Sequence, residues 1–207
     1  MSERPSTTPI EAVLFDMGGV LVELGPFDEA LGLDDLSSEE FWAMWLASPA
    51  VRDLEAGRCS VERFADELVI EFGLGHTQGE LIEHFTNIPL GLFPGAVDLV
   101  ASVPAQVMTG VLSNTNAVHW EGQQDADVIQ RLCQRQYLSY ELGMTKPERG
   151  IFDHAAADLG VSPDRILFLD DSPANVDGAR AAGLQAEVAR GPVAGAKILE
   201  SYGVTRR

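Results

Sequence analysis

Positive charge is what this sequence has least of: 14 Lys and Arg stand against 32 Asp and Glu, a formal net charge of −18. Nucleic-acid binding depends on basic side chains neutralising many phosphates, so this balance argues against a polyanion partner. Cysteine is nearly as scarce. Cys59 and Cys133 lie far apart with no CxxC spacing, which suggests neither a disulfide framework nor a zinc site and leaves both as buried small hydrophobes. No stretch approaches the ~20 apolar residues that span a bilayer. The opening MSERPSTTP lacks the apolar run of a signal peptide. The expectation is a cytoplasmic protein with no membrane partner and a flexible tail at 1–9.

What is present is globular composition, with 45% apolar and 22% charged residues over 207 positions. That length suits one core carrying a modest insertion. Five short apolar segments have the character of buried parallel strands: residues 12–15, 106–112, 137–139, 166–169 and 184–188. Helix-patterned stretches separate most of them, for example 148–159 and 174–182. The expected fold is therefore α/β, a doubly wound, parallel Rossmann-like sheet. The gap between the first two strands is too long for one crossover. From 25 to 93 the chain reads as helical, with Ser37 and Glu40 fitting a capping box and Ser60 capping VERFADELVIEFG. This predicts a small helical cap at 25–93 inserted after the first strand, over a core made of 10–24 and 94–207. Trp42 and Trp45, three apart on one predicted helix, read as cap core rather than a substrate platform. GQQDAD at 122–127 reads as a loop or a helix start, and the cap's apolar pattern fits a monomer or a homodimer.

Ligands of such sheets bind beyond the carboxyl ends of the strands. Asp16 closes the first strand and is followed by Met17, Gly18 and Gly19, small enough in the main for backbone N–H groups to approach an anion. LSNTN ends the second, placing Ser113 and Asn114 where a hydroxyl and an amide could hold phosphate oxygens. LGMTKP follows the third and carries Lys146. Asp170 and Asp171 end the fourth. Three acids in one crevice repel unless a cation neutralises them, and hard oxygen donors favour Mg²⁺. Each element alone has a plainer meaning: a helix N-cap for the Asp, turn chemistry for Ser-Asn, a surface lysine. Their shared placement at strand ends is what points to a site.

With those motifs in view, the chain resembles the haloacid dehalogenase superfamily, in its group with a small helical cap. FDMGGVL, LSNTN, GMTKPERGIF and LFLDDSPANVDGARAAG are similar to its four motifs over roughly residues 11–190. LSNTN with LGMTKP is similar in particular to bacterial sugar-phosphate phosphatases of the glucose-1-phosphate type. The resemblance implies a Mg²⁺-dependent phosphatase acting on a small phosphorylated metabolite, with Asp16 as nucleophile and metal ligand. It further implies the Gly18 carbonyl and Asp171 as metal ligands, with Asp170 in the outer shell or paired with lysine. Ser113, Asn114 and the N–H groups of Met17 and Gly18 would hold the phosphoryl group, Lys146 would neutralise it, and Asn175 would support the metal shell.

One residue departs from the pattern. Most phosphatases of this family carry a second Asp two residues after the nucleophile, as acid and base, and here that position is Gly18. Losing such help typically costs about 10²- to 10⁴-fold. His119 is the nearest auxiliary candidate in sequence, with Glu23 and Glu55 behind it. Two alternatives follow: a phosphate-ligand binding module without turnover, and a metal-independent 2-haloacid dehalogenase.

Overall fold

Four consecutive apolar residues with no polar alternation suit a strand covered on both faces. AVLF becomes such a strand, β1 (Ala12–Phe15), with every residue buried. The computed structural model describes residues 9–33, 35–122 and 126–206. After β1 comes a short strand, β2 (Val22–Leu24), and then five helices, α1 (Phe27–Ala30), α2 (Ser38–Ala47), α3 (Pro49–Glu55), α4 (Val61–Phe72) and α5 (Gln78–Thr86). Strand β3 (Pro89–Leu92) returns antiparallel to β2 and makes a two-stranded stem. The chain continues through α6 (Ala96–Ala101), β4 (Met108–Ser113), α7 (Ala117–Gly122), α8 (Ala126–Leu132), β5 (Arg135–Leu138) and α9 (Ser139–Leu142). It ends with α10 (Arg149–Leu159), β6 (Ile166–Asp170), α11 (Pro173–Ala181), β7 (Gln185–Val188) and α12 (Gly191–Ser201).

The main sheet has five strands in the order β5-β4-β1-β6-β7, and every neighbouring pair is parallel. Alternate residues of β1 feed two cores. Ala12 and Leu14 join Ile151, Phe152 and Ala155 of α10 and Val176 and Ala179 of α11 on one face. Val13 and Phe15 join Leu99 of α6, Ile129 of α8 and Leu199 of α12 on the other. This is the doubly wound α/β fold that the strand and helix alternation predicts. Chain order runs outward from β1 to β4 and β5 on one side and to β6 and β7 on the other. The switch point therefore lies at the carboxyl end of β1, where a crevice forms.

Helices α1 to α5 bury their apolar faces on one another, around Phe27, Phe41, Trp45, Phe64 and Phe85. The edge-on packing of Phe27 against Trp45, centroids 4.9 Å apart, is part of that cluster. The capping box forms: the Ser37 hydroxyl accepts the Glu40 N–H, and the Glu40 carboxylate accepts the Ser37 N–H. Ser60 accepts the Arg63 N–H and starts α4.

Several expectations are revised. The stem was missed, because VEL is three residues long and PLGL contains Pro and Gly, which strands disfavour. The strand expected at 137–139 runs over Arg135–Leu138, with Ser139 already opening α9. Trp45 is core as expected, but Trp42 is 42% exposed and lines a cavity. Cys133 is buried, whereas Cys59 is only partly so. Most of the tail at 1–9 and the centre of GQQDAD lie outside the described residues.

Candidate active site

The crevice is built from three strand ends and one loop. β1 delivers Asp16, β4 on one side delivers Ser113, and β6 on the other delivers Asp170 and then Asp171. The loop after α9 delivers Lys146. Its ammonium is buried and touches two carboxylates, Asp16 Oδ1 at 2.8 Å and Asp170 Oδ2 at 2.6 Å. The Lys146 Nζ also lies 5.4 Å from the Phe168 ring centroid, so its surroundings are dry on the sheet side.

The two strand-end acids differ in how they are held. Asp170 is buried, and its oxygens accept from Lys146, from the Ser172 N–H at 2.8 Å and from the Asn175 amide at 3.1 Å. Asn175 thus orients Asp170. Asp16 Oδ1 accepts from Lys146 and from the Met17 N–H at 2.7 Å, while its Oδ2 makes no hydrogen bond among the described residues. Gly19 gives Asp171 room. Its φ of +70° suits glycine, and a Cβ there would lie 2.5 Å from Asp171 Oδ2.

Asp16, Asp170 and Asp171 offer oxygens that all lie within 4.8 Å of one another. One lysine does not balance three acids. Burial, with Asp170 and Asp171 adding to it, lifts the Asp16 carboxyl to about 8 despite Lys146. Burial and Asp170 lift Asp171 to about 6, against Lys146 and Arg190. Burial works against the Lys146 ammonium too, but Asp16 and Asp170 more than offset it and hold it above the ordinary lysine range. The chain alone leaves this pocket short of positive charge. Clustered carboxylates with such a deficit fit a hard divalent cation.

Two expected residues sit differently. Asn114 gives both ends of its amide to Lys146: Oδ1 accepts the Lys146 N–H at 2.8 Å and Nδ2 donates to the Lys146 carbonyl at 3.0 Å. It latches the lysine loop to β4, which limits what it can offer a phosphoryl group. His119 turns away from the crevice. Its Nε2 lies 2.7 Å from the Phe85 carbonyl and its Nδ1 3.2 Å from the Asn116 amide, a pattern that fits a neutral ring with the proton on Nε2. Burial lowers its pKa further, so His119 joins α7 to α5 rather than assisting in the crevice. Ser113 is as expected at the end of β4, its hydroxyl donating among the described residues only to the Asn114 carbonyl, at 3.3 Å.

Sequence reasoning missed Ser139, whose hydroxyl accepts the Thr115 N–H at 2.9 Å and donates to the Thr115 carbonyl at 3.1 Å. It ties the loop after β4 to the start of α9, a contact that no local pattern announces. Also missed was a cavity of about 350 Å³ beside Gly19 and Asp171, walled by Phe27, Phe41, Trp42 and Phe93 with Glu23 and Asp28 at its edge.

Known proteins resemble this chain in sequence and fold. The chain is 28% identical over 183 residues to a D-ribitol-5-phosphate phosphatase of Bacteroides thetaiotaomicron, covering 81% of this chain and 85% of the relative. It is similar in structure to a predicted HAD-like family hydrolase of Porphyromonas gingivalis (27% identity, TM-score 0.69, 87% of this chain and 91% of that one). An HAD family enzyme of B. thetaiotaomicron, solved in complex with magnesium and inorganic phosphate, shares the fold (23% identity, TM-score 0.68, 87% and 94% covered). A haloacid dehalogenase-like hydrolase model matches residues 10–183, most of the chain, and the protein belongs to that family.

Proposed function

We propose that the protein is a Mg²⁺-dependent phosphatase that hydrolyses a small phosphorylated metabolite, of the sugar- or polyol-phosphate kind, through an aspartyl-phosphate on Asp16. The observation that carries this reading is the convergence of Lys146 with Asp16 and Asp170 at the end of β1, beside Asp171. Phosphoryl transfer asks chiefly for in-line positioning and charge neutralisation. Asp16, Asp171 and the Gly18 carbonyl would hold the cation, with Asp170 kept to the outer shell by its other partners. Once bound, Mg²⁺ supplies Lewis-acid stabilisation of charge on the phosphoryl oxygens.

The chain's own groups account for the rest. Asp16 Oδ2 is free to attack phosphorus while Oδ1 is anchored by Lys146 and the Met17 N–H. Ser113 and the Gly18 N–H bind phosphoryl oxygens, the Met17 N–H being taken by Asp16, and Lys146 neutralises them. Asn114 keeps Lys146 in reach, and Asn175 keeps Asp170 aligned. Carboxylate attack divides hydrolysis into formation and cleavage of an acyl phosphate. We take residues 25–93 as the cap that covers this chemistry. The cavity beside Asp171 suits an uncharged hydroxylated group, with Trp42 offering a face and Glu23 and Asp28 accepting hydroxyl hydrogens. The same acids disfavour the carboxylate of a 2-haloacid.

Metabolite support for this reading comes from the ribitol-5-phosphate phosphatase relative. The test is phosphate release from a panel of phosphorylated metabolites with Mg²⁺. Release should vanish with chelator and in Asp16→Asn. Ligand binding by the wild type without release would instead identify a binding module, and halide release without metal a dehalogenase.

A further inference from the structure

The groups at the strand ends handle the phosphoryl group and say nothing of the alcohol that leaves with it. The cavity of about 350 Å³ is lined by Gly19 and Asp171, so it adjoins the crevice directly. The rest of its lining comes from the stem of β2 and β3 and from α1 and α2. Besides Asp171, the charged side chains on that lining are Glu23 and Asp28. No Lys, Arg or His stands among the described residues that wall it.

Both acids sit on anchored backbone. Glu23 lies opposite Gly91 across the stem and follows Val22, which is buried and whose carbonyl accepts the Gly19 N–H at 2.9 Å. On its other side Leu24 covers Gly18, where an added Cβ would meet its side chain at 3.2 Å. The stem therefore carries Glu23 close above the loop that follows the nucleophile. Asp28 follows Phe27, whose buried ring packs against Phe41 at 6.1 Å and Trp45 at 4.9 Å between centroids. Neither carboxylate enters a salt bridge among the described residues. Either acid alone has a plainer meaning as a solvated surface charge. Two on one cavity, with no cation to balance them, act on the same occupant.

We propose that Glu23 and Asp28 form a charge filter on the leaving group, admitting one whose far end is neutral or cationic and turning away one that carries a carboxylate or a second phosphate there. The inference rests on the phosphatase reading above and goes beyond it in assigning selectivity to the sign of charge. Phe27, Phe41 and Trp42 supply apolar wall to any carbon skeleton. That contribution is the same whatever charge the skeleton bears, which leaves the acids to discriminate. In water-facing surroundings one charge at close range changes an affinity by roughly three- to tenfold.

The experiment uses the full chain with Mg²⁺ and phosphomonoesters matched in skeleton, such as glycerol 3-phosphate and 3-phosphoglycerate, which differ in a hydroxymethyl group against a carboxylate. The readout is the ratio of kcat/KM, carboxylate ester over hydroxymethyl ester, which should be well below one in the wild type. Glu23→Gln and Asp28→Asn keep shape and an acceptor oxygen. Each should raise the ratio about three- to tenfold, mainly through KM of the carboxylate ester, and the double variant about 10- to 100-fold. Raising ionic strength from about 0.05 to about 0.5 M should lift the wild-type ratio by screening and leave that of the double variant nearly still. Glu29→Gln removes an exposed acid of α1 that does not line the cavity, and it should not move the ratio. A wild type that prefers the carboxylate ester, a ratio unmoved in the double variant, or an equal rise in Glu29→Gln would overturn the filter while leaving the phosphatase standing. A wild type that releases no phosphate from any ester sinks both.

Discussion

At the scale of the residue, Lys146 bears the most weight. Its ammonium is buried between two carboxylates, so its removal leaves like charges facing each other in a largely covered pocket. Breaking a buried pair from one side typically costs about 3–5 kcal/mol. Lys146→Met should lower unfolding stability by that order at pH 8 in the presence of chelator, and abolish phosphate release. The stability loss should shrink toward pH 5, because Asp16 already titrates well above the ordinary carboxylate range and its protonation relieves the repulsion. Urea titrations at the two pH values check this, and an equal loss at both would mean that packing, not charge, explains the effect. Asp16, Ser113, Lys146, Asp170 and Asp171 were legible because each closes or follows an apolar strand, and strand ends in such sheets converge. Asn114 and His119 were misjudged for one reason. Both stand in the right segment, but direction depends on partners distant in sequence, Lys146 for the amide and Phe85 for the ring.

At the scale of the element, the short helix α3 joins the cluster of helices α1 to α5 to α9. Pro49 and the Ser48 hydroxyl start it, and Gly57 ends it against α9. The strands of the main sheet were readable because AVLF and ILFLD are apolar on both faces, which little besides a central strand explains. The stem of β2 and β3 was not, since its pairing joins segments about 70 residues apart and neither alternates clearly. The seat of α3 on α9 was hidden for the same reason, since that contact is tertiary. Gly57→Ala tests that contact. A left-handed φ and a blocking carbonyl both oppose the methyl group, so α3 must shift outward. Turnover should fall by tenfold or more, while stability drops by only about 1–2 kcal/mol. Losing stability without losing turnover would show that the end of α3 does not position the site.

At the scale of the whole molecule, net charge and local charge oppose each other. A chain at −18 repels anionic substrates in general, and the crevice adds three acids for one lysine. The folded protein without metal therefore holds a concentrated repulsion that the unfolded chain does not, and a divalent cation that binds only the fold should stabilise it by mass action. At a hundred times its Kd a ligand contributes about 2.7 kcal/mol, which for a domain of this size corresponds to roughly 5–10 °C in melting temperature. Mg²⁺ should thus raise the melting point of the wild type by that order over a chelator control. Asp171→Asn separates charge relief from metal binding: removing one of the three acids should make the metal-free protein more stable than wild type, yet erase the gain on adding Mg²⁺. A variant that still gains the full increment would remove Asp171 from the cation's ligands. A wild type indifferent to Mg²⁺ would mean that Lys146 and protonation alone settle the crevice, and the acids would then have to be explained without a metal.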